Sequence, residues 1–518
     1  MTSTTAQDQS VQGRPSVFGT ILLLLLAYPI LQIIYNTYFH PLSKIPGPFT
    51  WSASRLPFIR ALLKGTIVHD IQKLHRIYGP ILRIAPDEVT FAQPEAWNDI
   101  CQPRQNTSAS GSRQHEFLKD PIWWKRQPGQ PNSLLSAIDP IDHARMRKAL
   151  SPAFTPRALR AQEPFIHRYV NLLVERLRET VLNNDKPDDE IDIGPWLNFA
   201  TFDIFGDLGF GESFDCLENS RYHPWIAIVF NSVKAVAYVA AARYYPAIYN
   251  LLMKCIPASL KKMQQDHFQQ IVDKVRRRMN YEVQRPDIMS YVIGSEGDGK
   301  GMSADEIDIT LMVLTTAGSE TTATVLSGTM NYLVLNSDKL EMLSKEIRAR
   351  FATGSDMSLD GLNELPYLNA VITEGLRLCT PIPWMLPRRV PPEGGTVCGV
   401  WLPGNTPVSI QAYALNRDGG YFHRPDSFHP ERWLAESKDS AFGKDRRNGF
   451  QPFSVGPRSC MGQHLAWAEM RLILAKLVWN FDFEAAKDPG RRLDWEDLRT
   501  FLLVEKRAIY ARLRPRVV

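Results

Sequence analysis

One very long helical pattern in the second half of the chain most constrains the fold. Residues 303–306, Ser-Ala-Asp-Glu, have the form of a capping box, in which serine and glutamate satisfy free N–H groups at a helix start. The helix is predicted over 304–336, and from 309 to 335 it is apolar around nearly its whole circumference. A helix without a polar face has to be buried. The chain is therefore predicted to fold around a central helix roughly 50 Å long, at ~1.5 Å per residue.

The remaining patterns predict further helices and little sheet. Helical periodicity dominates residues 140–280, and two more helices are predicted over 366–378 and 463–480. Two β-hairpins are also predicted, with strands at residues 81–84 and 89–92 and at residues 396–402 and 407–412. Strand and helix do not alternate regularly, which argues against a doubly wound parallel sheet. The predicted fold class is mainly α with small antiparallel β-sheets.

Composition limits the class of protein. Of 518 residues, 44% are hydrophobic and 22% are charged, as in an ordered globular protein rather than a disordered or fibrous one. The 60 basic and 55 acidic residues leave a net charge of +5, too weak to indicate nucleic-acid binding. The 6 cysteines form neither a Cys-x-x-Cys pair nor a set with zinc-ligand spacing. Any cysteine chemistry therefore depends on a single thiol.

An apolar segment near the N-terminus predicts a membrane anchor. Residues 17–35 are long enough as a helix to cross the ~30 Å hydrocarbon core of a bilayer. A cleaved signal peptide and a buried core helix are the alternatives; the apolar stretch is too long for the first, and no cleavage site follows it. Basic residues follow the segment, so the positive-inside rule places the N-terminus in the lumen. The predicted organisation is a short lumenal tail (1–16), a transmembrane anchor (17–35), a proline-rich connector (36–50) and a cytosolic domain (51–518).

The most informative short segment is residues 453–462, Phe-Ser-Val-Gly-Pro-Arg-Ser-Cys-Met-Gly. Cys460 lies directly before a long predicted helix, whose free N–H groups and dipole favour a thiolate. Gly456 and Gly462 allow the backbone to turn tightly and to approach a flat ligand. Arg458 offers a forked donor to a carboxylate. A thiolate on such a loop can be an axial ligand of haem iron; a buried structural cysteine is the alternative.

This segment resembles the cysteine-loop signature F-x-x-G-x-R-x-C-x-G of the haem-thiolate monooxygenases, the cytochrome P450 family, at every fixed position. Three more motifs of that family are matched upstream, in the expected order. Residues 317–322, Ala-Gly-Ser-Glu-Thr-Thr, resemble its oxygen-activation motif within the long helix. Glu374-Gly-Leu-Arg377 resembles its E-x-x-R helix, and residues 428–433 resemble the segment that supplies a third charged residue, here Arg432. The resemblance extends over nearly the whole predicted cytosolic domain.

The resemblance implies roles in catalysis for three of these residues. Cys460 is implied as the axial ligand of the iron of haem b. Glu320 and Thr321 are implied as a pair that passes protons during oxygen activation; for Thr321, the alternative is a hydroxyl bonded to the carbonyl four residues earlier. Gly318 is interpreted as leaving room for a ligand.

The resemblance also implies four partners for the haem propionates: Arg458, His143, Arg147 and Arg388. His143 stands where the family often has tryptophan, and its imidazole N–H can serve as a donor. Arg389, next to Arg388, is interpreted as a surface charge.

A second set of charged residues is interpreted as structural. Glu374 and Arg377 lie on one helical face because they are three residues apart. If both are buried they need partners, and Arg432 is the implied third member. These residues are expected to lock the loop that presents Cys460 rather than to take part in catalysis.

The implied protein has the cytochrome P450 fold preceded by one transmembrane helix, and is a single-pass protein of the endoplasmic reticulum with its catalytic domain in the cytosol. It inserts one oxygen atom from O2 into a small apolar organic substrate. Because the chain has no flavin or nicotinamide domain of its own, a separate NADPH–cytochrome P450 reductase is implied as electron donor. Candidate basic residues for contact with that partner are Arg145, Lys148, Lys444, Arg446 and Arg447; ordinary solvated charges are the alternative.

The substrate class follows only by analogy. The junction over residues 35–48 and the whole chain resemble filamentous-fungal secondary-metabolite hydroxylases, including the isotrichodermin-hydroxylase-like group. A polyketide, terpenoid or alkaloid pathway is therefore predicted. Two other functions are weighed: a haem-thiolate isomerase or dehydratase that does not use O2, and a non-catalytic haem carrier or sensor. The Glu320–Thr321 pair argues against both, because neither needs it.

Overall fold

The chain is mainly helical, as predicted. A computed structural model describes residues 27–103, 116–126, 130–183, 190–280, 285–293 and 301–516. Its α-helices are α1 Phe49–Ala53, α2 Leu56–Lys64, α3 Ile67–Tyr78, α4 Glu95–Cys101, α5 Pro121–Trp124, α6 Pro140–Leu150, α7 Pro156–Leu182, α8 Gly194–Phe210, α9 Cys216–Asn219, α10 Pro224–Arg243, α11 Pro246–Cys255, α12 Ala258–Met279, α13 Ile288–Ile293, α14 Ala304–Leu335, α15 Ser337–Arg350, α16 Leu359–Asn363, α17 Pro366–Leu378, α18 Ala412–Asn416 and α19 Gln463–Asn480. Its strands are β1 Ile81–Ala85, β2 Glu88–Phe91, β3 Leu118–Lys119, β4 Glu190–Asp192, β5 Met385–Arg389, β6 Gly395–Val397, β7 Val400–Leu402, β8 Pro407–Ile410, β9 Phe481–Ala485 and β10 Tyr510–Pro515.

The predicted central helix is confirmed as α14. Its capping box is formed: the Ser303 backbone N–H donates to Glu306 Oε2 over 2.9 Å, and the Glu306 N–H donates to Ser303 Oγ over 3.3 Å. Most of the helix is buried, and it packs against α8, α17 and α19. The helices predicted over 366–378 and 463–480 are confirmed as α17 and α19 at the predicted bounds. These four helices and α7 carry much of the largest buried apolar cluster.

The largest sheet is mixed, so the prediction of small antiparallel sheets is wrong for it. Its strand order is β1-β2-β8-β5-β3. β1 and β2 form the first predicted hairpin, but β2 and β8 are parallel. This pairing joins segments far apart in the chain, which periodicity within each strand cannot reveal. The other two sheets, of order β4-β10-β9 and β6-β7, are antiparallel.

The second predicted hairpin is wrong. Residues 396–402 do not pair with 407–412; instead β6 and β7 form a short hairpin within the first of these segments. Its two turn residues, Cys398 and Gly399, have φ values of 49° and 79°. Two consecutive positive φ angles give the turn whose twist matches that of antiparallel strands. The turn therefore lies at Cys398-Gly399, and β8 is free to join the large sheet.

The predicted transmembrane helix is not found among the described residues, none of whose helices is long and apolar enough to cross a bilayer. The tail and residues 17–26 of the predicted anchor lie outside the described ranges, and residues 27–34 are helical. The stretch predicted as a connector packs on the rest of the domain. Asn36 Nδ2 donates to the Ala53 carbonyl over 2.9 Å, Arg83 Nη2 donates to the Asn36 carbonyl over 2.9 Å, and Leu42 is buried.

Candidate functional site

Cys460 lies on a rigid loop that leads into α19. Its backbone N–H donates to the Phe453 carbonyl over 2.8 Å, and the Ser459 N–H donates to the Gly456 carbonyl over 3.0 Å. From α6, Arg147 Nη1 donates to the Ser459 carbonyl over 2.8 Å. Cys460 is exposed, whereas three other cysteines of the described residues are buried. The loop therefore presents its sulfur to a ligand.

Two opposing effects act on the Cys460 thiol. Desolvation by the protein around the loop raises its pKa, while the Gly462 N–H and the Arg147 guanidinium act to lower it. The groups expected to favour a thiolate are thus present, but desolvation outweighs them. A metal ion bound to the sulfur would reverse this balance, because a coordinating thiol is deprotonated. The loop is suited to hold a metal-bound thiolate.

The two glycines of the loop, Gly456 and Gly462, serve different purposes. Gly456 has φ +80°, and a Cβ there would lie 2.2 Å from the Cys101 carbonyl oxygen, so only glycine fits. A Cβ at Gly462 would meet no protein atom within 4 Å, which leaves this side of the loop open to a flat ligand.

The interpretation of Gly318 as leaving room for a ligand is wrong. A Cβ there would lie 2.6 Å from the Phe205 ring, so this glycine allows α14 to pack closely on α8.

A cluster of buried and partly buried basic side chains surrounds His143. His143 is itself buried, and burial together with the charges of Arg458, Lys119, Arg147 and Arg388 lowers its pKa to about 3. The imidazole is therefore neutral at pH 7. The four propionate partners implied by the sequence are thus brought together, with Lys119 as a fifth member.

Lys119 is the member that sequence reasoning missed. It lies on β3 directly opposite Arg388 on β5. Burial and the neighbouring Arg458 and Arg388 lower the pKa of Lys119 well below its usual value. No local pattern marks this lysine, because only the pairing of two distant strands places it among the arginines.

The arginines of the cluster differ in how far they are already bonded. Arg458 donates to Glu116 Oε1 over 2.9 Å and to the carbonyls of Ala137 and Ile138 over 2.6 and 2.7 Å. Within the described ranges, the hydrogen bonds of Arg388 are long ones, of 3.4 and 3.5 Å, to backbone carbonyls. Arg388 can therefore donate more readily to an added anion than Arg458, the arginine that was expected to bind a carboxylate.

The charge balance of the cluster fits an anionic group. Arg147, Arg388 and Arg458 carry positive charge, an anion beside Lys119 would favour its charged form as well, and Glu116 is the carboxylate bonded to the cluster among the described residues. Buried charges are costly unless paired. A ligand with two carboxylates, such as haem with its propionates, would neutralise most of this excess. The donor set beside Cys460 therefore fits haem.

The Thr321 hydroxyl makes the bond to its own helix that was the alternative to a role in proton transfer. Its Oγ1 donates to the Ala317 carbonyl over 2.6 Å, the bond to the carbonyl four residues earlier. The side chain is partly accessible, and its lone pairs remain able to accept a proton-bearing partner. The next residue, Thr322, is buried, and its Oγ1 donates to the Gly318 carbonyl over 3.1 Å. Consecutive residues of an α-helix point about 100° apart, so Thr321 faces a different and more accessible direction from Thr322.

Glu320 is not hydrogen-bonded to Thr321. Its Oε1 lies 2.7 Å from Nζ of Lys506 in the C-terminal segment. Burial raises the pKa of Glu320, and Lys506 acts in the opposite direction. The sequence suggested that a buried acid here needs a partner or a proton-handling role; it did not identify the lysine, which lies in an irregular segment without a motif.

The predicted structural trio is confirmed. Glu374, Arg377 and Arg432 are all fully buried. Arg377 makes two bonds to the Glu374 carboxylate, of 2.9 and 2.7 Å, and Arg432 Nε donates to it over 3.1 Å. The Trp433 indole N–H adds a fourth donor over 2.8 Å. Arg377 also donates to the carbonyls of residues 416, 425 and 427, so the trio fixes the chain that leads towards the Cys460 loop.

The basic residues considered for partner contact fall into two groups. Arg145 forms ion pairs with Glu306 over 2.7 Å and with Asp142 over 3.1 Å, so its guanidinium is already bonded within the protein. Lys148, Lys444 and Arg446 are exposed, and Arg447 is partly so. Arg389, interpreted as a surface charge, instead lies 3.2 Å from the buried Asp120.

Comparison with known proteins extends the resemblance to the whole domain. The family model described as Cytochrome P450 matches residues 45–511. The chain is 41% identical over 497 residues to cytochrome P450 monooxygenase lcsI of Purpureocillium lilacinum, covering 96% of this chain and 94% of the relative. It is 40% identical over 496 residues to averantin hydroxylase of Dothistroma septosporum, covering 95% and 90%. It is 38% identical over 493 residues to cytochrome P450 monooxygenase astJ of Aspergillus oryzae, covering 95% and 96%.

Proposed function

The chain belongs to the cytochrome P450 family of haem-thiolate monooxygenases, and from that membership we propose that it inserts one oxygen atom from O2 into a small apolar intermediate of fungal secondary metabolism. The observation that carries this assignment is the exposed Cys460 on its rigid loop, beside the cluster of basic side chains around His143. The similarity to several fungal enzymes, one of them named averantin hydroxylase, supports the substrate class.

Each residue of the site has a proposed task. Cys460 holds the iron, and His143, Lys119, Arg147, Arg388 and Arg458 orient the haem through its propionates. Haem with a thiolate ligand supplies the oxygen chemistry, because the thiolate pushes electron density that favours cleavage of the O–O bond. Glu320 and Thr321 handle the protons that this chemistry consumes. The apolar surroundings of α14 favour an apolar substrate.

Electrons are proposed to come from NADPH–cytochrome P450 reductase. The exposed Lys148, Lys444 and Arg446 are the candidate contacts; Arg446 lies 2.9 Å from Glu95 in an exposed pair, whereas Arg145 is held by the less exposed Glu306. Exposed charges of this kind mainly raise the rate of encounter with an oppositely charged partner.

The direct test is turnover by the purified full chain with reductase, NADPH and O2. Averantin is a suitable first probe, followed by other aromatic polyketides and terpenoids. We expect one oxygen atom from labelled O2 in the product and NADPH-dependent oxygen consumption. Conversion of a substrate in the absence of NADPH and O2 would instead identify an isomerase or dehydratase, and haem binding without any conversion would identify a carrier.

Thr321→Ala should separate NADPH consumption from product formation. Loss of one partly accessible hydroxyl changes little packing, so folding and haem content should stay near those of the parent. A positioned proton donor typically contributes ~10²–10⁴-fold, so product per NADPH should fall about tenfold or more while hydrogen peroxide rises. The measurement is product, NADPH and peroxide in one assay.

Thr315→Ala is the matched control for Thr321→Ala. Thr315 lies on the same helix, and its hydroxyl makes the same kind of bond, to the Leu311 carbonyl over 2.8 Å, but it is fully buried. Its product per NADPH should equal that of the parent. An unchanged ratio in Thr321→Ala would mean that this threonine only bonds its own helix.

The N-terminal segment is proposed to anchor the protein in the endoplasmic reticulum membrane, with the catalytic domain in the cytosol. Deleting residues 1–34 removes the apolar stretch but keeps Asn36, which packs against Ala53. We expect most of the truncated protein to leave the membrane pellet for the supernatant while retaining its haem spectrum. Complete retention in the pellet, measured by fractionation of cells, would place the anchor elsewhere.

A further inference from the structure

The acid beside Thr321 is held in an ion pair that the proposed proton handling does not use. Glu320 Oε1 lies 2.7 Å from Lys506 Nζ, and only 8% and 11% of the two side chains are exposed. The other carboxylate oxygen, Oε2, is buried without a hydrogen bond. Burying an ion pair removes both charged groups from water, and each group loses hydration free energy. Its presence on the helix that carries Thr321 therefore needs a reason beyond stability.

The ammonium group of Lys506 is fully bonded. A lysine has three N–H donors, and those of Lys506 are matched by Glu320, by Asn198 Oδ1 on α8 at 2.9 Å, and by Thr324 Oγ1 on α14 at 3.2 Å. Asn198 is held in turn, because its Nδ2 donates to the Tyr222 hydroxyl over 2.8 Å. The network thus fixes a charged lysine at one place.

The backbone that carries Lys506 is fixed as well. The Val504 N–H donates to the Pro381 carbonyl over 3.2 Å, and the Glu505 N–H donates to the Arg499 carbonyl over 2.8 Å. On the far side, the Ile509 N–H donates to Asp192 Oδ1 over 2.9 Å. These bonds hold the backbone on both sides of Lys506 in place, and the ammonium group lies within its network of Glu320, Asn198 and Thr324.

Each charge of the pair depends on the other. Burial raises the pKa of Glu320 and lowers the pKa of Lys506, and in both cases the partner opposes the effect of burial. Without Lys506, Glu320 would take up a proton, and its neutral carboxyl would be free to turn towards other acceptors. The lysine therefore determines both the charge and the direction of this carboxyl.

We propose that Lys506 is a positioning residue for oxygen activation, which keeps Glu320 ionised and directed towards α8 and the C-terminal segment until the pair opens. Proton handling by Glu320 then depends on a residue that touches neither Thr321 nor the Cys460 loop through any hydrogen bond among the described residues. This inference rests on the proposed function, in which Glu320 and Thr321 handle protons.

The first test reads the charge of Glu320 without turnover. Infrared difference spectra of the full-chain holoenzyme at pH 7 compare the parent with Glu320→Gln, Lys506→Met and the double variant. We expect a carbonyl band of a protonated carboxyl in Lys506→Met that is absent from the parent and from the double variant. No such band, or a band that persists in the double variant, overturns the proposal. Should Lys506→Met fail to fold, Lys506→Gln removes the charge and retains hydrogen bonding.

The second test asks whether Lys506 acts through Glu320. Product per NADPH should fall about tenfold in Lys506→Met, within the ~10²–10⁴-fold range of positioned proton donors, and Lys506→Arg should restore most of it. In the Glu320→Gln background, Lys506→Met should cause no further fall. An equal fall in both backgrounds would show that the lysine acts independently of the acid.

Arg507→Met is the matched control. It removes a cation from the next position of the same segment, where the side chain is 54% exposed and lies 3.4 Å from Asp497. We expect parental coupling and an unchanged infrared spectrum. If the parent forms no product from any tested substrate, the proposed function fails, whereas the infrared result still decides whether Lys506 sets the charge of Glu320.

Discussion

Cys460→Ser should abolish the thiolate signature in the carbon-monoxide difference spectrum and reduce product formation to background. A serine hydroxyl is a far weaker donor to iron than a thiolate, and it supplies none of the electron density that favours O–O cleavage. The fold should survive, because the loop is closed by backbone bonds from Cys460 N and Ser459 N that the substitution leaves intact. The measurements are the difference spectrum, haem content and product formation with reductase and NADPH.

Cys255→Ser is the control for Cys460→Ser. Cys255 is the other exposed cysteine of the described residues and is the last residue of α11. Its variant should keep the parental spectrum and activity. A parental thiolate spectrum in Cys460→Ser would overturn the assignment of the iron ligand.

Glu374→Ala and Arg377→Ala should each prevent recovery of folded, haem-loaded protein. Both side chains are fully buried: Glu374→Ala leaves Arg377 without its carboxylate, and Arg377→Ala removes one of the two cations that neutralise Glu374, together with two of its hydrogen bonds. Breaking a buried pair in this way costs about 3–5 kcal/mol, a large part of the ~5–15 kcal/mol by which a typical domain is stable. The Glu374 carboxylate also accepts from Arg432 and Trp433, so its loss leaves several buried donors unpaired. The measurement is the yield of soluble protein with bound haem.

The surface pair Glu341–Lys345 provides the control. These residues lie 2.7 Å apart on α15, but 65% and 73% of their side chains are exposed. Glu341→Ala should change the free energy of unfolding by no more than about 0.5 kcal/mol. Normal yield and haem content in Glu374→Ala or Arg377→Ala would show that the trio is not needed for folding.

Acid should weaken the same trio. Burial by itself would raise the pKa of Glu374, but Arg377 and Arg432 outweigh it and the net pKa is lowered. A carboxyl with a lowered folded-state pKa contributes stability that is present above the unfolded value of about 4.3 and is lost as the pH falls. Thermal unfolding of the parent should therefore shift to lower temperature on acidification below that value.

Local sequence patterns determined much of the fold. The helices α14, α17 and α19 were predicted from a capping box and from helical periodicity, because helices are stabilised by contacts between residues close in sequence. The grouping of Glu374 and Arg377 with Arg432, and that of His143, Arg147, Arg388 and Arg458, was implied by the family resemblance, which is carried by motifs in separate short segments.

Tertiary structure decided what no short segment contains. Three contacts join residues far apart in the chain. β2 pairs in parallel with β8, and Lys119 lies opposite Arg388. Arg458 donates to Glu116, so its guanidinium is already bonded. Gly318 is likewise explained by a distant residue, since a side chain there would collide with the Phe205 ring on another helix, and Glu320 pairs with the distant Lys506. A sequence shows which charges and glycines exist; only the packing of distant elements at van der Waals and hydrogen-bond distance determines what each of them faces, and hence the ionisation of Glu320.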